Sequence, residues 1–117
     1  MERLRQRADF LAAASGSKTS AAAFVLQARR RADEGPARCG FTVSKKVGNA
    51  VERNRVRRRL REIVRLSGSS RMRRGHDYVV IGRRAALNVP FAQIAEEFEG
   101  ALQRVHKGGR KASTGSR

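Results

Sequence analysis

The chain has 117 residues, with 27 Lys and Arg against 10 Asp and Glu, for a formal net charge of +17. That length supports one modest core and excludes a second domain of ordinary size, while 39% hydrophobic residues exclude a wholly disordered chain. Self-repulsion at this charge destabilises a compact fold unless a polyanion relieves it, so nucleic acid is the first partner implied and an anionic membrane surface the second.

No apolar run reaches the length of a membrane span. The most basic segment carries only a narrow stripe of Val, Leu and Ile and no Trp, which favours nucleic acid over a membrane. Cys39 is the single cysteine. No intramolecular disulfide is possible, which fits a reducing cytoplasm. It lies beside an apolar run without a nearby His or acid, so it reads as a small buried hydrophobe rather than a nucleophile.

The N-terminal stretch "MERLRQRADFLAAASGS" is rich in Arg, Ala and Ser, as transit peptides are. Its apolar piece is too short for a secretory signal, and Glu2 and Asp9 count against a transit peptide, so it reads as part of the mature fold. Arg7 to Ala14 forms a short helix with Phe10, Leu11 and Ala14 toward one side. Ser15–Ser20 breaks it, with a short extra strand near Lys18–Ala22. Ala23–Ala28, "AFVLQA", is the first clear strand. Arg29–Arg38 is polar and contains the turn pair Gly35-Pro36. Cys39–Ser44, "CGFTVS", is rich in strand formers and is expected to pair antiparallel with the first strand.

Lys45–Ala50 is a basic connection with a turn at Gly48-Asn49, and a helix follows from about Ala50 to Leu66. Ser67–Ser70 ends it, and Arg71–Asp77 reads as loop. Tyr78–Gly82, "YVVIG", is continuously apolar, as a strand buried on both faces would be. Pro90 suits a helix start. Phe91, Ile94, Ala95, Phe98, Leu102 and Val105 then recur at helical spacing to about His106. The last stretch, "KGGRKASTGSR" (107–117), has nothing to bury and reads as a disordered basic tail. The order α-β-β-α-β-α implies one α+β domain over residues 1–106, with helices packed on a small sheet.

The basic helix carries Arg53, Arg55, Arg57, Arg58, Arg59, Arg61 and Arg65 against Glu52 and Glu62. At 100° per residue, Val56, Leu60, Ile63 and Val64 form one docking stripe. Asn54, Arg58, Arg61 and Arg65 fall in a narrow arc roughly opposite. Arg57 sits at the border, Arg55 and Arg59 flank the other side, and Arg53 points along the apolar stripe from the first turn. A solvated helix usually interleaves acids at i,i+4. Here Arg53, Arg57, Arg61 and Arg65 follow one another at that spacing, each like-charged pair costing a few tenths of a kcal/mol. Glu62 is positioned to answer Arg58 or Arg59 only. Arg in place of Lys suits bidentate phosphate contact and stacking on bases, and Asn54 adds a donor and acceptor for a sugar or base edge. Free amides near Val51–Arg53 and the preceding Lys45 and Lys46 extend an anion-seeking patch that reads backbone charge rather than sequence.

Nothing in the polypeptide forms a catalytic or metal site by spacing. His76 and His106 are lone and far apart in sequence, and His76-Asp77 reads as an ordinary loop pair. Glu96, Glu97 and Glu99 lie in the earlier half of the last helix, where acids suit the dipole. There is no P-loop and no Cys/His metal spacing.

The segment "FTVSKKVGNAVERNRVRRRLRE" (Phe41–Glu62) closely resembles the signature of the bacterial ribonuclease P protein subunit. In that family an apolar strand leads into Ser-Lys-Lys, then Gly-Asn-Ala, then an Arg-Asn-Arg helix. "LRQRADFLAAASGS" and "DYVVIGRRAA" resemble further family segments, so the resemblance spans nearly the whole chain. It implies a single α+β sandwich with a small, mostly antiparallel four-stranded sheet and a left-handed crossover at the basic helix. It also implies a protein that binds a catalytic RNA and the single-stranded 5′ leader of precursor tRNA, assisting endonucleolytic removal of the leader. The RNA carries the chemistry, with Mg²⁺, and the polypeptide is a cytoplasmic, non-catalytic subunit that binds neither DNA nor membrane. By motif match, Lys45, Lys46, Arg53, Asn54, Arg55, Arg58 and Arg61 are the RNA-binding positions, with Arg57 where the family often has Lys, and Arg65 on the same arc.

Two positions depart from the family. Ala14 stands where members often carry a second aromatic one turn after Phe10, and Gln27 where some carry an aromatic in the first long strand. Phe10 is then the remaining candidate for stacking on leader bases, with a plain core role equally open. A structural ribosomal protein and a general RNA chaperone are the rival functions. A DNA-binding regulator would want a base-reading helix and a dimer face, and neither is evident.

Overall fold

A computed structural model describes residues 2–68 and 71–107. The expected tail beyond residue 107 lies outside the described residues. Five strands and three helices follow in the order β1 (Glu2–Arg3), α1 (Arg7–Ala14), β2 (Ser17–Ser20), β3 (Phe24–Arg30), β4 (Arg38–Thr42), α2 (Ala50–Ile63), β5 (His76–Gly82) and α3 (Phe91–Lys107). The sheet order is β1-β4-β5-β3-β2. β2 and β5 each pair antiparallel with β3, while β4 is parallel to both β5 and β1. The α+β class stands, but the sheet is mixed and five-stranded rather than mostly antiparallel and four-stranded.

The expected hairpin between the two early strands does not form, because β5 lies between them. The reason is burial. Tyr78, Val79 and Val80 are at most 2% exposed and need cover on both faces, which only the centre of the sheet supplies. The polar link Arg31–Ala37 therefore spans two strand spacings, about 10 Å. It is stitched down on the way, with Arg31 N donating to Gly75 O and Gly75 N to Gly35 O.

Alternation along the strands builds two cores. On one face, Phe24, Leu26, Ala28, Cys39, Val43, Tyr78 and Val80 pack beneath α2 and α3, which contribute Val56, Leu60, Ile63, Ile94, Phe98 and Leu102. On the other face a smaller cluster of Leu4, Ala13 and Val79 packs with Phe10 and Ile81 beneath α1. Only Ala13 of α1 is fully buried and Leu11 is exposed, so its inward side is Phe10 and Ala13, not Leu11 and Ala14. Phe10 lies across β4 at Gly40, where any Cβ would collide with the ring. α2 closes with a π-helical turn, Val64–Gly68, rather than continuing as α-helix to Leu66. Pro90 directly precedes α3, and its carbonyl accepts from the amides of Gln93 and Ile94.

Candidate nucleic-acid interface

The interface is built from the start of α2. The Asn49 side chain accepts from Glu52 N at 2.9 Å, and the Glu52 carboxylate accepts from Asn49 N at 3.0 Å. This capping box satisfies helix-end amides that would otherwise seek an anion. Of the amides expected to seek an anion at Val51–Arg53, those of Glu52 and Arg53 are taken by Asn49, through its side chain and its carbonyl. The bond from Asn49 N, aided by Arg84, holds the Glu52 carboxyl below its usual range. Arg84 donates to Val47 O and Arg53 donates to Gly48 O at 2.9 Å. The turn Lys45–Val47 is held from both sides, and Lys45 and Lys46 stand exposed on it. Arg53, which the wheel points along the apolar stripe, turns back to the loop and clamps it.

The docking stripe is as the spacing predicts: Val56, Leu60, Ile63 and Val64 are buried. Asn54, Arg55, Arg58, Arg61 and Arg65 are all exposed. The arginines of α2 then divide into two kinds. Arg57 donates to Asn54 Oδ1 at 2.9 Å. Arg65 pairs with Glu62 at 2.5 Å, so Glu62 answers Arg65 rather than Arg58 or Arg59. Arg59 donates to Val89 O at 2.6 Å and lies over the Phe91 ring. Arg55, Arg58 and Arg61 have no hydrogen-bond or ion-pair acceptor among the described residues. They follow at i,i+3 and form a line of guanidinium groups without a direct counter-ion, Arg55 feeling the charge of Glu52 only at a distance. Arg61 alone of the three has an aromatic neighbour, its guanidinium carbon standing 5.7 Å from the Phe41 ring centre.

The α1 side of the sheet is only partly covered. Val25, Thr42 and Ile81 are half-buried there, with Gln27 buried between β2 and β5. Phe10 borders this face half-buried, its ring committed to Gly40.

Two clusters escaped the sequence reading. Asp77 is not in a loop but inside β5, fully buried. It accepts from Arg31 at 2.6 Å and bidentately from Arg38 at 2.8 Å, with Arg29 at 3.9 Å. Burial works to raise its pKa, but the hydrogen bonds and charges of Arg38 and Arg31 prevail and hold it below the usual carboxylate range. A solitary acid at the mouth of an apolar strand, amid arginines, was the available signal. The two histidines also meet. Tyr78 Oη accepts from Arg73 N and lies 2.6 Å from His106 Nε2, while the His76 ring stands 5.8 Å from that of His106. The Tyr78 hydroxyl and His106 Nε2 share one hydrogen bond, whose donor is set by the histidine tautomer. Burial, then the charges of Arg73 and His76, push His106 down to about 4. Burial also pushes the Cys39 thiol up to about 12, which makes it inert.

Comparison with known proteins identifies the scaffold. The family model Ribonuclease P matches residues 1–106. A "Ribonuclease P protein component" of Brucella suis is 42% identical over 123 residues, covering 98% of this chain and 85% of that protein. Its counterpart in Gluconacetobacter diazotrophicus is 48% identical over 103 residues, covering 87% of this chain and 89% of the relative. The solved ribonuclease P protein of Thermotoga maritima superposes with a TM-score of 0.73 at 33% identity, over 89% of this chain and 97% of that one. The mixed sheet, the capped basic helix and these similarities agree, and the chain belongs to the ribonuclease P protein family.

Proposed function

We propose that this chain is the protein subunit of ribonuclease P, binding the catalytic RNA and the 5′ leader of precursor tRNA so that the leader is removed endonucleolytically. Family membership supports the subunit role. The observation that carries RNA binding is the line Arg55, Arg58 and Arg61, left without acceptors on a rigid, capped helix. Such a line recruits phosphate by counterion release and fixes register without reading sequence. Lys45 and Lys46 extend it from the clamped turn. Asn54 stands on the same arc, and Arg53, Arg57 and Arg65 add charge from tethered positions. The partly open α1 side of the sheet, bordered by Phe10, is the face for the leader. With Ala14 and Gln27 in place of aromatics, it holds leader bases by shape and hydrogen bonding more than by stacking.

In this reading the RNA performs the hydrolysis with its own Mg²⁺, and the polypeptide lowers repulsion between two polyanions. The lone buried thiol suits a cytoplasmic setting. The test is cleavage of precursor tRNA by the cognate RNA at low Mg²⁺, with and without the protein, using long and very short leaders. Rescue that grows with leader length is expected. Rescue independent of leader removes the leader face from the proposal. Absence of rescue by folded, RNA-binding protein overturns the subunit role in favour of a ribosomal or chaperone one.

A further inference from the structure

Two arginines of α2 lie over phenylalanine rings, and their surroundings differ. Arg59, 6.0 Å from the Phe91 ring centre, is tied to Val89 O, with its Nε buried and unpaired. It is part of the packing between α2 and α3. Arg61, 5.7 Å from the Phe41 ring centre, is exposed and has no acceptor among the described residues. Phe41 is half-buried: one part packs on the core under α2, leaving ring surface for Arg61. It also lies near an open sheet edge, because β1 pairs with β4 only at Arg38 and Cys39.

We propose that Phe41 is a positioning residue for RNA recognition: its ring holds the Arg61 guanidinium so that an unpaired RNA base stacks on the outer face while the N–H edge meets the adjacent phosphate. The inference rests on the subunit reading above. A free arginine side chain samples many rotamers and loses that freedom on binding. A ring beneath the guanidinium carbon removes part of the cost beforehand, through cation–π attraction. A planar guanidinium stacks on a base while donating in its own plane, which an ammonium cannot do. Arg55 and Arg58 have no such support and act as phosphate contacts alone.

The test is a double-mutant cycle with Phe41→Leu and Arg61→Lys. Affinities are measured for ribonuclease P RNA, for precursor tRNA and for an unpaired RNA oligonucleotide, each across a salt series. The RNA that shows the coupling is the source of the stacked base. Phe41→Leu is expected to weaken binding about 3-fold, the size of an exposed cation–π contact, with the salt slope unchanged because no phosphate contact is lost. Arg61→Lys should lose a similar factor at unchanged slope, and the double variant should be no worse than Arg61→Lys. Equal loss from Phe41→Leu in both backgrounds, or no loss from it, overturns the proposal. If Phe41→Leu fails to fold, Arg61→Lys decides: retained affinity would show that charge alone matters there. Wild-type protein that ignores ribonuclease P RNA would defeat the subunit reading, while the oligonucleotide arm still tests the stack.

Discussion

Two groups of arginines sit on this small fold, and their fates are opposite. Arg29, Arg31 and Arg38 converge on Asp77, whose side chain is wholly buried, and Arg31 also donates to Asp33 and to the carbonyls of Pro36 and His76. Arg55, Arg58 and Arg61 stand on a helix with no hydrogen-bonded or ion-paired acid among the described residues, Arg55 feeling only the more distant charge of Glu52. The first group is structural and locks the long β3–β4 link; the second is left facing solvent. Positive charge in a sequence therefore says little about which residues remain open to a partner. A single buried carboxylate decides it for three arginines at once.

That contrast is broken most directly at Asp77. Asp77→Ala removes the buried carboxylate that Arg31 and Arg38 share, leaving Arg31 with Asp33 and Arg38 with Asp9, and should cost about 1.5–3 kcal/mol of stability, read by urea denaturation. RNA affinity of the folded fraction should hold or rise as Arg29, Arg31 and Arg38 lose their neutraliser; a falling affinity would show that this group binds RNA through its present geometry. The opposite pattern is expected on α2. Arg55→Ala and Arg58→Ala should each leave stability within about 0.5 kcal/mol. Each should weaken RNA binding and reduce the log–log salt slope by roughly 0.7 to 0.9, whereas Arg31→Ala should lose stability and leave the slope unchanged.

Acid titration separates the structural groups. His106 titrates at about 4 in the fold against an ordinary 6.5, so between those values the unfolded chain holds more protons and stability falls as pH drops. His106→Gln should abolish that decline. The Asp77 carboxyl is held below its ordinary 3.8, so its contribution is full above that value and is lost only as pH falls through the lower folded one. The decline below about pH 4 should survive in His106→Gln. The smallest effect is expected at Arg84. Arg84→Ala removes one clamp on the Lys45–Val47 turn and should cost about 1 kcal/mol, with a small loss of affinity and no change in sheet stability; an unmoved melting temperature would show that Arg53 alone suffices.

Much of this was legible beforehand. Arg7–Ala14 is recovered at its bounds, the α2 stripe of Val56, Leu60, Ile63 and Val64 is buried as its spacing predicts, and the minor strand near Lys18 exists as β2. The Phe41–Glu62 segment pointed to the right family. The two largest misreadings share one origin, contacts between residues distant in the chain. The hairpin failed because β5 competes for the sheet centre. Asp77 and His76 read as loop because their partners are supplied by β3, β4 and α3.

By itself the sequence determined what periodicity and composition determine: one α+β domain, an amphipathic basic helix and a surplus of charge that calls for a polyanion. These follow from rules of a few residues' reach, namely the 3.6 and 2 periods and the preferences of turn and cap residues. Only the tertiary structure decided which arginines are spent internally and which remain open, because neutralisation depends on distances across the sheet. It also decided that Phe10 closes over Gly40 while Phe41 keeps ring surface beneath Arg61. Two phenylalanines of equal hydrophobicity differ in role because one meets a glycine and the other the edge of a helix.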